Sequence, residues 1–303
     1  MRLTQTGRPY LALVTGLAAI SLSAMFIRWA AAPGTVTTFY RMAIASLVLA
    51  PFAVRGLTRA KLPPAVLLFG VAGGLFTALD QGIWSVSLGY TSIANASLLN
   101  NIAPLWVALF TWLFWKQRLE RSFWWGLALT LIGASIVFGS DFLRTPQLNR
   151  GDLLALVSSL AYGGYFLVGQ SGRRRMSALS YVWIMSLSAA AILLIWNLGR
   201  GEALTGFPPR TYLAFLGAAV ISQVIGHFCI TYALGGLPAA VVSPSAVAQP
   251  VVTALLAIPL ANEPLSAGQW IGGAITLFGI YQVNKRRPAA AGEPAKATTS
   301  PAA

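Results

Sequence analysis

The chain is 303 residues long, 56% hydrophobic and only 9% charged, with a formal net charge of +14. A soluble domain carries roughly 25% charged residues, so this composition excludes one or two soluble domains and points to an integral membrane protein. The single cysteine, Cys229, excludes an internal disulfide, and the basic excess sits in loops and termini, where it signals topology and not nucleic-acid binding.

Ten apolar segments, near 9–32, 35–55, 64–88, 92–115, 121–139, 152–171, 178–198, 210–235, 238–261 and 267–284, are expected to span, since a ~30 Å hydrocarbon core takes about 20 helical residues. The expected fold is an all-α integral membrane protein. The first segment follows Arg2 and Arg8 and ends in Ala30-Ala-Ala32, which looks like a signal-peptide cleavage site. Its apolar run is too long for a signal peptide, so the segment is expected to stay.

Polar groups at membrane depth are costly and are functional candidates by default. The second segment carries Arg41 and the third Asp80, both ~9–14 Å below the outer surface at 1.5 Å per residue. An Arg41–Asp80 ion pair is expected, either joining two helices or serving gating or proton coupling. The fourth segment holds Asn100, Asn101 and Pro104, and the ninth Ser243, Ser245, Gln249 and Pro250. Each proline lies ~18 Å from the start of its segment, near the bilayer centre. A proline inside a helix frees the carbonyl four residues back, here Asn100 and Ala246. Such broken backbone is tolerated where it is buried or lines a cavity. The neutral groups around it suit a polar or zwitterionic molecule, or serve as interhelical glue.

The sixth segment adds Tyr162 and Tyr165 on one face. With Trp84 or Trp106 they would line an aromatic pocket, or pack as core. His227, the only histidine, falls in the eighth segment, where it either exchanges protons or is satisfied by neighbouring helices. Trp29, Trp112, Trp115, Trp124, Trp125, Trp196 and Trp270 lie near segment ends, the place of an interfacial belt. Residues 288–303, rich in Ala, Pro, Thr and Ser, read as a disordered tail.

The stretch from Ala94 returns 146 residues later, with Ala94 on Ala240, Ser97 on Ser243, Pro104 on Pro250 and Trp124 on Trp270. Gly126 to Gly133 and Gly272 to Gly279 share five residues in eight. Two copies of five helices follow, 9–139 and 152–284. Because five is odd, the second copy enters the membrane from the opposite side, giving an inverted repeat. With the N-terminus inside, 15 Lys and Arg residues fall on the cytoplasmic side and five on the other. Both termini are therefore expected in the cytoplasm.

The prolines of the fourth and ninth segments, Asn262-Glu263-Pro-Leu265, Tyr40-Arg41-Met42 and the closing Gly-x-x-x-Thr-Leu-x-Gly resemble the EamA-type transporters of the drug/metabolite transporter superfamily. Within it the aromatic-rich chain looks like the YddG-type exporters of aromatic amino acids. One departure is Lys116-Gln117, where the family tends to have Gly-Glu. The resemblance implies a central cavity, cytoplasmic termini and export of small metabolites. The expected protein is a monomeric secondary transporter of the inner (plasma) membrane. It would export amino acids or similar small molecules by alternating access, with substrate contacts from the midplane groups, the tyrosines and Trp84. A channel-like or uncoupled facilitator is the alternative. An enzyme is disfavoured: there is no His-Glu-x-x-His and no nucleotide-binding Gly-x-x-x-x-Gly-Lys-[Ser/Thr], and no cofactor, metal or catalytic group is expected.

Overall fold

The structure is a computed structural model that describes residues 7–117, 119–139, 149–261 and 264–285. The expected tail at 288–303, the Asn262-Glu263 break and Arg118 and Arg144 lie outside the described residues. The described residues form helices and no strands. They make ten rods: α1 (Gly7–Ala30), α2 (Gly34–Ala60), α3 (Pro64–Ser87), α4 (Ile93–Trp115), α5 (Arg121–Phe138), α6 (Arg150–Arg173), α7 (Ala178–Gly199), α8 (Pro209–Leu234), α9 (Ala239–Leu260) and α10 (Ala267–Lys285). The first nine are long and apolar enough to cross a membrane; α10, 19 residues long, runs along α5.

Local chemistry sets the ends. Asn149 and Asp152 form a reciprocal capping box at the start of α6, and Ser177 caps α7. Lys61 and Lys116 close α2 and α4 in the left-handed region, and Gly139 closes α5 at φ +56°. α2 runs to Ala60, beyond the expected 55, because nothing in Arg55 to Ala60 breaks a helix before Lys61.

Large apolar side chains such as Leu47, Phe114 and Ile195 are 70% exposed or more. They form a surface suited to acyl chains and not to water. Six of the seven expected belt tryptophans are exposed by 41% or more: Trp29, Trp112, Trp115, Trp124, Trp125 and Trp270. Trp196 departs from that expectation. Its ring lies over Gly82, where an added Cβ would stand 3.3 Å away, and its Nε1 is buried. The absence of a side chain at Gly82 leaves room for the indole to lie against α3.

The repeated octet turns out to be a close contact between the two copies. An added Cβ at Gly126 would stand 2.9 Å from the Gly279 carbonyl, and one at Gly272 would stand 2.7 Å from the Gly133 carbonyl. As the residue number rises along α5 it falls along α10, so the helices are antiparallel and the copies are related by an approximate two-fold. Thr130 and Thr276 repeat the symmetry, each bonding the carbonyl of the glycine four residues back, at 2.8 and 2.9 Å. Small residues allow this approach, which in lipid rests on close packing and not on expulsion of water. The same symmetry pairs α3 with α6 and α8 with α1, while α2 packs on α7.

Candidate functional site

Two helices are broken at equivalent places. In α4 the helix stops at Asn100 and resumes at Ala103; in α9 it stops at Ala246 and resumes at Gln249. These boundaries are 146 residues apart in both cases. Tight three-residue bonds bridge each gap: Ile102 N–H to Leu99 O at 3.2 Å, and Ala248 N–H to Ser245 O at 3.0 Å. Pro104 and Pro250 each sit in the first turn of the resumed helix, where a missing N–H costs nothing. Each break docks on the symmetry-equivalent rod. Asn100 Nδ2 donates to Ser158 Oγ of α6 at 2.8 Å, and Ser21 Oγ of α1 donates to Gln249 O at 3.3 Å.

The α4 break delivers Asn100 to Asp80. Asn100 Nδ2 donates to Asp80 Oδ1 at 2.7 Å, and Gln81 Nε2 donates to Oδ2 at 2.9 Å. The expected ion pair with Arg41 is not formed, although pairs such as Arg200–Glu202 are. Arg41 Nη1 instead donates to Ser23 Oγ at 3.0 Å, and its buried Nε has no partner. Two amides already occupy the carboxylate, which leaves the buried guanidinium to a neutral hydroxyl. Arg41 is nevertheless near enough to interact electrostatically with Asp80, Tyr165 and His227.

Tyr165 joins α6 to α8, its hydroxyl 3.0 Å from His227 Nδ1. Tyr162 and Tyr165 stack with centroids 6.1 Å apart and share Phe166 as a neighbour. Trp84, half-buried on α3, has no ring contact with either tyrosine, whereas Trp106 Nε1 donates to Ser159 Oγ at 2.8 Å on the same rod as the tyrosines. The structure thus brings Asp80, Asn100, Arg41, Tyr162, Tyr165 and His227 into one neighbourhood spanning α2, α3, α4, α6 and α8. The serines of α9 and Asn101 of α4 make none of these bonds. Ser245 Oγ is bonded to Val241 O and receives Asn284 Nδ2, Ser243 Oγ is buried without a partner, and Asn101 Nδ2 turns back to Ser97 O.

Comparison with known proteins agrees with the architecture. The model of the EamA-like transporter family matches residues 7–139 and again 149–285. The chain belongs to the EamA-like transporter family. It is a membrane transporter. Its relatives include the transporter YwfM of Bacillus subtilis, 26% identical over 68% of this chain and 70% of that protein. A transporter of Archaeoglobus fulgidus is 26% identical over 88% of this chain and 94% of that one. The inner membrane transporter YedA of Escherichia coli is 25% identical, over 80% of this chain and 78% of its own length. All three are described as uncharacterized transporters. A crystal structure matches with a TM-score of 0.78 at 19% identity, covering 93% of this chain and 98% of the other, a likeness of fold.

Some polar groups of this EamA-type bundle escaped the sequence reading. Ser23 and Ser158 are partners of Arg41 and Asn100, but serine is too common in such helices to stand out. Gln223 of α8 is fully buried, donates to Ser186 at 3.1 Å and leaves its Oε1 unpartnered; the rule that flagged Asp80 applies to it equally. The π-helical turn Ala218–His227, which carries both Gln223 and His227, has no proline or other marker in the sequence. Such turns recur at functional sites.

Proposed function

We propose that this transporter is a secondary carrier that exports amino acids or similar small polar metabolites by alternating access. The observation that carries the reading is the pair of helix breaks at Asn100–Ala103 and Ala246–Gln249, 146 residues apart in oppositely oriented copies. Inverted repeats with interrupted helices in matching positions are how many carriers build a site near the bilayer midplane and rock two halves around it. The freed backbone groups and the polar cluster on α2, α3, α4, α6 and α8 supply recognition, and the stacked tyrosines supply an apolar wall for a side chain. The chain works as a monomer, and it lies in the inner membrane with both termini cytoplasmic; the basic residues on the expected inner side support the orientation, and the likeness to YedA supports the membrane.

The test is counterflow in proteoliposomes. The lumen is loaded with one unlabelled amino acid at a time, and entry of labelled phenylalanine or threonine is followed against protein-free liposomes. A carrier gives saturable entry stimulated by a subset of loads. Entry at the same rate whatever the load is the behaviour of a pore and overturns the reading.

A further inference from the structure

We propose that Arg41 and Asp80 are the two arms of a zwitterion clamp, Arg41 receiving the cargo's carboxylate and Asp80 its ammonium group. The clamp rests on the carrier reading above and adds the residues and the cargo chemistry.

Arg41 is only 6% exposed and Asp80 only 4%. Removing either charge from water costs several kcal/mol unless it is compensated, and mutual pairing would be the simplest compensation. The structure withholds it: Asp80 is held by the amides of Asn100 and Gln81, and Arg41 by the hydroxyl of Ser23. Each charge is therefore incompletely satisfied. Arg41 Nε is buried with no acceptor, and a guanidinium offers five N–H donors in a fork that fits a carboxylate. A carboxylate has about four acceptor positions, and Asp80 has two donors upon it. A helix staple would close the two charges on each other. Kept apart yet within electrostatic reach, they match the opposite charges of an α-amino acid. The other polar side chains nearby, Tyr162, Tyr165 and His227, include no second acid to compete for Arg41. Tyr162 and Tyr165, stacked on each other with Phe166 beside them, form the aromatic part of the same neighbourhood, and a cargo side chain would find its apolar surface there.

Binding to the purified full chain is measured by thermal shift and by competition in counterflow. Phenylalanine and threonine are compared with the amine lacking the carboxylate and the acid lacking the amino group of each. The expected result is at least tenfold weaker binding of both truncated forms than of the parent amino acid. Arg41→Gln and Asp80→Asn lose amino-acid counterflow, and Arg41→Lys keeps part of it. Equal binding of the amine and the amino acid overturns the clamp, a result read on the unaltered protein and so independent of whether the variants fold. Undiminished counterflow in Arg41→Gln also overturns the clamp while leaving the carrier reading intact. Load-independent entry removes both.

Discussion

The glycine contact between α5 and α10 gives the sharpest test of the two-fold architecture. In Gly279→Ala the new methyl would lie 2.7 Å from the Gly126 carbonyl oxygen and 2.6 Å from Thr130 Oγ1. Ordinary contacts of a methyl carbon begin near ~3.4 Å and the nearest atom, Thr130 N, lies at 2.5 Å, so the helices must part by about 0.9 Å or the backbone must bend; overpacking of this kind costs about 1–3 kcal/mol. Parting also loosens dispersion contacts along the seam, and in lipid no hydrophobic drive restores them. Gly133→Ala, its counterpart in the first copy, would put a methyl 2.5 Å from Thr276 Oγ1 and 2.6 Å from the Gly272 carbonyl oxygen, and should cost a similar amount by symmetry. The assay is thermal unfolding in mild detergent beside Gly199→Ala, a helix-end glycine with nothing within 4 Å of an added Cβ. Both seam variants should unfold several degrees below the wild type and Gly199→Ala close to it. Seam variants as stable as Gly199→Ala would refute this packing, and with it the octet as a close joint between the copies.

Asn100→Ala removes the donor that Asp80 Oδ1 and Ser158 share; leaving a buried carboxylate oxygen short of a partner should cost about 1–3 kcal/mol. The check is reduced thermal stability together with reduced counterflow, and unchanged values in both would mean the network carries no weight. For topology, Thr205→Cys in a Cys229→Ser background should react with a membrane-impermeant maleimide added outside intact cells, because Thr205 is exposed between α7 and α8 on the expected outer face. Labelling only after the inner face is opened would invert the orientation.

Composition was enough to place the protein in a membrane, because a chain so poor in charge has no way to cover itself in water. The ten rods were legible because each requires about 20 apolar residues, a length that local sequence records directly. The prolines at 104 and 250 likewise mark backbone that cannot complete its hydrogen bonds, and the interruptions stand just before them. The repeat offset implied inversion by parity alone. What the octet does was not legible. Five identities in eight mark a shared constraint, and only the α5–α10 contact shows that the constraint is close approach of two backbones.

Partnership was decided by the tertiary structure. Equal depth suggested that Arg41 would meet Asp80, but depth along a rod says nothing of rotation about it, and Asn100, brought in by the α4 break, reached the carboxylate instead. The π-helical turn depends on packing against neighbouring rods, to which local propensity is blind, so His227 met Tyr165 without any sign in the sequence. Sequence determined by itself the membrane, the number of rods, the repeat and the sites where backbone must break, since these depend on hydropathy, length and missing donors. Which buried charge remains without its opposite was settled only by how the rods turn their faces to one another.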